Sequence, residues 1–482
     1  MFKTGSMYIS DMVADISVSA LEEKHEECGI VAIFSKKGED VAPLIYRALI
    51  ALQHRGQDAA GFVIHDGKNL TAKRGIGLVA DIFGADALRV KGAIGIGHTR
   101  YPTTGRCMME DVQPSVVGDI AVSHNGHLAN YHELKKMLEK NGRKMCSTVD
   151  SEPIANLLDM KMSEGKDIDQ AILFVLDSLD GAYSDAAIIG GKLVVFRDPH
   201  AIRPLVYGEN DDFICFTSES CALDINNIPY IGDVKGGERV IIEGGARKTK
   251  AIKGGETRHC MFEYVYFSRP DSVINGKEVF DVRKKLGSRL AKEHPVEADV
   301  VIPLPDTART AAEAFSRESG IMFEEGLIKN RYIGRTFIMP SQSKRIEAVR
   351  LKLNAVRSVI AGRRVVLIDD SIVRGTTLRE IVRLVRAAGA KEVHLRITSP
   401  PIKAPCFYGV DMATYKELIA DKKSVDEVAR FLGADSLGYL SIEGLKEAIG
   451  LPICSGCLDG DYITPYARKM AKERKDSDHS CG

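Results

Sequence analysis

VVLIDDSIVRGTT, residues 365–377, is the stretch on which the fold turns. Four apolar residues, Val365 to Ile368, run straight into two acids, Asp369 and Asp370, and then into a Ser/Arg/Gly/Thr loop beginning at Ser371. The loop opens the amphipathic run LREIVRLVRAAG. A short apolar run followed by a helical period is one strand–loop–helix step of a βαβ unit. In an open parallel sheet, ligands bind beyond the carboxyl ends of the strands, where the next helix offers unpaired N–H groups to an anion. Gly375 lets the backbone close around a phosphate, and Thr376 and Thr377 add hydroxyl donors. Carboxylates repel phosphate, so Asp369 and Asp370 suit ribose hydroxyls or a Mg²⁺ that travels with the ligand. Helix capping would need one Asp and accounts for neither the second acid nor the loop.

The same alternation extends on either side. DVVIPLP and KEVHLRITS have strand texture, while TARTAAEAFSRESG and TTLREIVRLVRAAGA have helical texture, which predicts a parallel sheet for the C-terminal part. Upstream the rhythm differs. CGIVAIFS, GAIGIGHTRY, DIAVSHNGHL, DAAIIGGKLVVFRD, DFICFTSES and GERVIIEGG are short β-like runs broken by Gly, Asp or Asn. Helical patterns at VAPLIYRALIALQHR, YHELKKMLEKNG and SEPIANLLDMKM interrupt them, so layered sheets with covering helices are expected. The texture changes after KTKAIKGGETRH, which puts the boundary near residue 258; the last residues, KMAKERKDSDHSCG, read as a frayed, solvated tail.

At 482 residues, two domains are the default. Hydrophobic residues make up 44% and charged residues 27%, the balance of a globular enzyme. Lys plus Arg and Asp plus Glu both number 66, so no global basic field recruits nucleic acid, and an anion must be caught by a local site. No apolar run reaches the roughly 20 residues that span a bilayer. The first 27 residues mix Asp11, Asp15, Glu22, Glu23 and Lys24 into their apolar stretches, unlike a secretory signal, so a cytoplasmic protein is expected. Ten cysteines in such a protein are thiols, ligands or nucleophiles rather than disulfides. Cys454 and Cys457 form a C-x₂-C pair; Cys260 and Cys406 would complete four thiolates, a set that both Zn²⁺ and an iron–sulfur cluster accept.

These residues carry two resemblances. The segment 365–377 is similar to the phosphoribosyl-diphosphate motif of type I phosphoribosyltransferases, which implies that Asp369 and Asp370 hold the ribose hydroxyls and Mg²⁺ while Arg374 to Thr377 grip the 5′-phosphate. VIPLPDTARTAAEAF, 301–315, resembles that family's pyrophosphate loop, with Thr307 where Ser is usual. KNRYIGRTFIMPSQSKR, 329–345, resembles its mobile basic loop, which offers Lys329 and Arg335 to the diphosphate.

Cys28 with HRGQDAAGF (54–62), GHTRYPTTG (97–105), SHNGHLAN (123–130) and DSE (150–152) resembles the glutamine amidotransferase domain of the N-terminal-nucleophile type. That implies a four-layer αββα domain over 28–257 and removal of residues 1–27 as a propeptide, with Met1, Met7 and Met12 all open as starts. Cys28 is then the nucleophile, with its freed α-amine, of pKa about 8, as base. Asn125 and Gly126 form the oxyanion hole, Arg100 clamps the glutamine carboxylate and Asp150 takes the ammonium; Arg55 and Gln57 shape the closing loop, and His124 and His127 are packing residues.

Together the two halves, a phosphoribosyltransferase domain at 258–465 followed by a tail at 466–482, resemble the amidophosphoribosyltransferase family and its propeptide- and [4Fe–4S]-containing subgroup. The implied cluster ligands are Cys260, Cys406, Cys454 and Cys457. The implied reaction is ammonia transfer from glutamine to phosphoribosyl diphosphate, the committing step of purine synthesis, in a homotetramer inhibited by purine nucleotides. Two alternatives are weighed. Glucosamine-6-phosphate synthase shares the first half but has no place for the 365–377 motif. A regulator that binds phosphoribosyl diphosphate without catalysis has no need of Cys28, Arg100, Asn125 and Asp150.

Overall fold

A computed structural model of the chain describes residues 28–101, 108–330, 353–412 and 414–479. It forms two compact units: the chain described before Gly287 with Ile402–Asp421 and everything from Ser441 on, and Gly287–Pro401 with Lys422–Leu440. Residues 258–286 and the last segments thus pack with the N-terminal unit.

That first unit is built on two antiparallel sheets. The seven-stranded sheet runs Tyr230–Asp233, Val206–Glu209, Phe213–Thr217, Gly29–Ser35, Ile94–Arg100, Ala59–His65, Leu70–Ile76. The six-stranded sheet runs Ala246–Ala251, Glu238–Glu243, Lys192–Arg197, Gly181–Ile189, Ile120–Leu128, Ser115–Val117. Alternate residues of facing strands, among them Ile30, Ala32, Ile96, Ala186, Ile188 and Phe216, form one apolar core. A second core, with Val122, Ala187 and Val194, is closed by Leu134, Leu157 and Ile172 from the helices Tyr131–Lys140, Ser151–Ser163 and Ile168–Ser178.

Helix Ala42–Ala51 covers the outer face of the seven-stranded sheet, and the glycines of AIGIGH, residues 93–98, make room for it. A Cβ at Gly95 would meet Ile45 Cδ1 at 2.5 Å, and one at Gly97 would meet Ile45 Cγ2 at 2.8 Å. Strands buried on both faces read as continuous apolar runs rather than alternating ones. The layers are αββα, as the resemblance implies.

In the second unit Val300–Pro303, Arg364–Asp369, Glu392–Ile397 and Ser436–Tyr439 form a parallel sheet in that order. Val365 to Ile368 are fully buried at its centre, paired with Val300 to Pro303 on one side and Val393 to Arg396 on the other. The predicted helices are present as Arg309–Ser319 and Thr376–Ala387.

The tail is not frayed where it is described. Pro465–His479 is a helix. Ala467 and Ala471, one turn apart, are buried, and Tyr466 N–H donates to Asp180 at 3.0 Å. A run rich in Ala, Lys, Arg, Glu and Met has high helix propensity, and the two alanines supply the only face it needs to dock. Among the described residues no helix is long and apolar enough to cross a membrane. The expected leader 1–27, Arg335 and the rest of the basic loop from 331 lie outside the described residues.

Candidate active sites

Cys28 stands just ahead of Gly29–Ser35, half-buried. Arg55 Nε donates to the Cys28 carbonyl at 3.0 Å. Ile30 N–H donates to Ser218 Oγ at 3.0 Å, and the Asn125 amide nitrogen donates to the same Ser218 Oγ at 3.1 Å. One hydroxyl therefore links the nucleophile strand to the expected oxyanion donor. Asn125 and Gly126 lie on Ile120–Leu128 opposite Ser184 and Tyr183. Gly126 allows that close approach: a Cβ there would lie 2.0 Å from the Ala182 carbonyl oxygen.

Arg100 ends the strand that pairs with Gly29–Ser35, where Gly29 faces Thr99. Gly56 of the HRGQ loop presses on it, since a Cβ there would meet Arg100 N at 2.5 Å. Arg100 donates one bond to Asp111 O at 2.8 Å, and its buried Nε has no hydrogen-bond partner among the described residues. A buried guanidinium with a donor to spare suits a carboxylate ligand.

Asp150 accepts from Leu128 N–H at 2.7 Å and pairs with His127 Nδ1 at 3.3 Å. Burial would raise its pKa, but His127 and then His124 outweigh that and hold it below the usual carboxylate range. It is thus ionised at neutral pH, as an ammonium partner must be. His124 Nδ1 bonds Asp185 Oδ1 at 2.8 Å in the buried layer below, so it packs as expected. Burial lowers the His124 pKa, yet Asp185 more than reverses this; burial raises that of Asp185. The dyad holds its proton tightly.

Arg55, read from the sequence as shaping the closing loop, turns its side chain into the interior. Its guanidinium is fully buried, paired with Glu219 at 2.6 Å and with both oxygens of Glu263 at 2.9 and 3.0 Å. Glu219, Glu263 and Arg203 were not singled out from the sequence, although a lone acid inside MFEYVYF is a signal that it must be paired.

The other predicted residues fall in two places. At the carboxyl edge of the parallel sheet, Asp369 ends its strand and Gly375 takes the left-handed conformation, φ 72°, that turns the chain into helix Thr376–Ala387. Thr307 Oγ1 donates to Asp370 Oδ2 at 2.5 Å and Ser371 Oγ to Asp370 Oδ1 at 2.7 Å. Arg374 and Thr377 flank the turn. Lys329 meets Asp306 at 3.3 Å on the exposed rim.

The four thiols meet in the first unit. Cys260 and Cys454 face each other on the parallel pair His259–Cys260 and Ile453–Cys454. The Cys457 carbonyl accepts from Lys403 and Ala404 N–H, both at 3.0 Å, which draws in the segment that bears Cys406. Burial pushes Cys260 and Cys457 up and Cys454 to about 12, and the thiols raise one another's pKa further. Among the described residues no three His, Cys, Asp or Glu side chains are set to hold a single metal ion.

A glutamine amidotransferase domain model matches residues 99–224 and a phosphoribosyl transferase domain model residues 273–427. The amidophosphoribosyltransferase of Methanothermobacter thermautotrophicus is 49% identical over 460 residues, 93% of this chain and 97% of that one. That of Bacillus subtilis is 45% identical over 455 residues, 91% and 94%. The solved structure of the B. subtilis glutamine phosphoribosylpyrophosphate amidotransferase in complex with ADP and GMP matches with a TM-score of 0.85 at 43% identity, covering 91% of this chain and 98% of the other. The chain belongs to the amidophosphoribosyltransferase family.

Proposed function

We propose that this member of the family frees ammonia from glutamine at Cys28 and delivers it to C1 of phosphoribosyl diphosphate at the 369–377 loop. Phosphoribosylamine, diphosphate and glutamate are the products, at the first step of purine synthesis. The observation that carries the reading is the Ser218 hydroxyl that ties Ile30, two residues after Cys28 on the nucleophile strand, to Asn125, with Arg100 on the neighbouring strand.

Arg100 and Asp150 hold the two ends of the amino acid. The Cys28 sulfur attacks the side-chain carbonyl, and the Asn125 amide with the Gly126 N–H meets the developing oxyanion, a task for donors fixed in advance. Removal of residues 1–27 frees the Cys28 α-amine to take the thiol proton and pass it to the departing ammonia. In the other unit Asp369 and Asp370 bind the ribose hydroxyls. Ser371, Arg374, Gly375, Thr376 and Thr377 hold the 5′-phosphate, and Lys329 with Arg335 answers the diphosphate. Thr307, Asp369 and Asp370 would hold Mg²⁺, which would supply charge neutralisation of the diphosphate. Purine nucleotides, which carry the same phosphate, would compete at this loop; ADP and GMP are present in the solved B. subtilis relative. We place the protein in the cytoplasm as a homotetramer.

For Cys260, Cys406, Cys454 and Cys457 the donor set fits a [4Fe–4S] cluster better than Zn²⁺. The four thiols gather with no three of them set to hold a single ion, which favours a multi-iron body over one Zn²⁺. Its role would be to tie three chain segments together.

Two measurements test this. A glutamine-like diazoketone should modify Cys28, located by mass spectrometry as the new N-terminus, in step with the loss of glutamate release. Activity lost through modification elsewhere would refute the nucleophile. Anaerobically purified protein should contain iron and sulfide, near four of each per chain by the cluster's formula; zinc in their place would overturn the cluster.

A further inference from the structure

Behind Cys28 lies a closed set of charges: Arg55, Arg203, Glu219 and Glu263 are each buried to 2% exposure or less. Two guanidinium groups face two carboxylates, so the set is neutral, and His54 joins its edge at 2.7 Å from Glu219. Burial would raise the pKa of both acids, but His54 and Arg55 for Glu219, and Arg55 and Arg203 for Glu263, pull them below the usual range. An ion-pair group this deep is weak evidence for stability, because desolvation offsets most of its attraction. What it supplies is direction.

Glu263 is the member that two guanidiniums share. It receives Arg55 through two nitrogens, at 2.9 and 3.0 Å, Arg203 Nη1 at 3.2 Å and Ser268 Oγ at 2.8 Å. Each arginine then reaches a different part of the glutaminase machinery. Arg55 Nε holds the Cys28 carbonyl. Arg203 Nε holds the Tyr408 carbonyl at 3.0 Å, and the next residue, Gly409, lies against the oxyanion glycine. A Cβ at Gly409 would stand 2.7 Å from Arg203 Nη2 and 3.3 Å from the Gly126 carbonyl carbon.

We infer that Glu263 is a positioning residue for glutamine hydrolysis: one carboxylate aligns the nucleophile, through Arg55, with the oxyanion strand, through Arg203 and the 408–409 backbone. The inference rests on the assignment of Cys28 as nucleophile. It touches no substrate, so glutamine should bind as before while the attack geometry is lost. A displacement of about 1 Å at a reacting group costs about 10²-fold in rate.

The test uses the mature full-length protein and follows glutamate release and ammonia-driven phosphoribosylamine synthesis in parallel. Glu263→Gln keeps the side-chain shape and halves the negative charge that orients the arginines. Its kcat for glutamine should fall about 10²-fold, with KM and ammonia-driven synthesis both within about twofold of wild type. Arg55→Lys keeps the charge of the set but loses the Nε–H that holds the Cys28 carbonyl, and should show the same split; it decides the matter if Glu263→Gln does not fold. A glutamine kcat in folded Glu263→Gln within about threefold of wild type overturns the inference, as does an equal fall of both activities, the mark of a purely structural role. Cys28→Ala in the same assay separates the two levels. If it retains glutamine turnover, the nucleophile assignment fails; if it alone is inactive, only the role of Glu263 does.

Discussion

Cys28→Ala should end glutamine-driven synthesis, with kcat lowered about 10⁴-fold or more, because loss of a covalent nucleophile removes the pathway and leaves only binding and oxyanion stabilisation. Synthesis from free ammonia should remain within about twofold, since Cys28 and the 369–377 loop belong to different compact units and substitutions without shared partners act independently. The substitution removes one sulfur atom from a half-buried position whose anchoring contact, Arg55 to the carbonyl, is made by the backbone. Folding should therefore be little changed. A second readout is independent of turnover: if Cys28 cuts its own leader, the Ala variant should retain residues before 28, visible in the intact mass. Glutamine-driven synthesis surviving in this variant would sink the assignment.

How much of this could be read beforehand depended on whether a residue acts through a local pattern or through a distant partner. The Asp-Asp loop was legible because strand, acids, glycine and helix are consecutive, and the sheet places them at its carboxyl edge wherever they occur in the chain. Asn125 and Gly126 were singled out through the resemblance. The αββα layering came from the resemblance, because strands buried on both faces, such as Gly29–Ser35, lose the alternation that would reveal which side faces which layer. The tail was misread because Lys- and Glu-rich ends look solvated, and two alanines one turn apart are a faint signal.

The charge set behind Cys28 was hidden more thoroughly. Arg55, Arg203, Glu219 and Glu263 are spread over 208 residues, and only the fold joins them. What the sequence offered was their improbability: Glu263 among Met261, Phe262, Tyr264, Val265 and Phe267 has no solvent to face, so it had to have a partner. Arg55 was read as shaping the closing loop, and nothing local in HRGQ announced that its guanidinium lies buried against Glu219 and Glu263.

The double substitution Asp369→Asn with Asp370→Asn should produce the opposite pattern to Cys28→Ala. Both ammonia-driven and glutamine-driven synthesis should fall about 10³-fold, as two charge-assisted hydrogen bonds to ribose hydroxyls, worth about 2 kcal/mol each, are lost together. Glutamate release in the absence of phosphoribosyl diphosphate should persist at the wild-type basal rate, because the carboxylates take no part in the chemistry at Cys28. At position 370 the amide oxygen accepts from one of the two hydroxyls of Thr307 and Ser371 while the NH2 donates to the other, so the loop keeps its shape and only the charge that attracts Mg²⁺ and orients the ribose is gone. A thermal midpoint close to wild type would confirm that the loop is intact. Ammonia-driven synthesis retained to within about tenfold would show that neither carboxylate carries the ribose, and would remove the acceptor site from this loop.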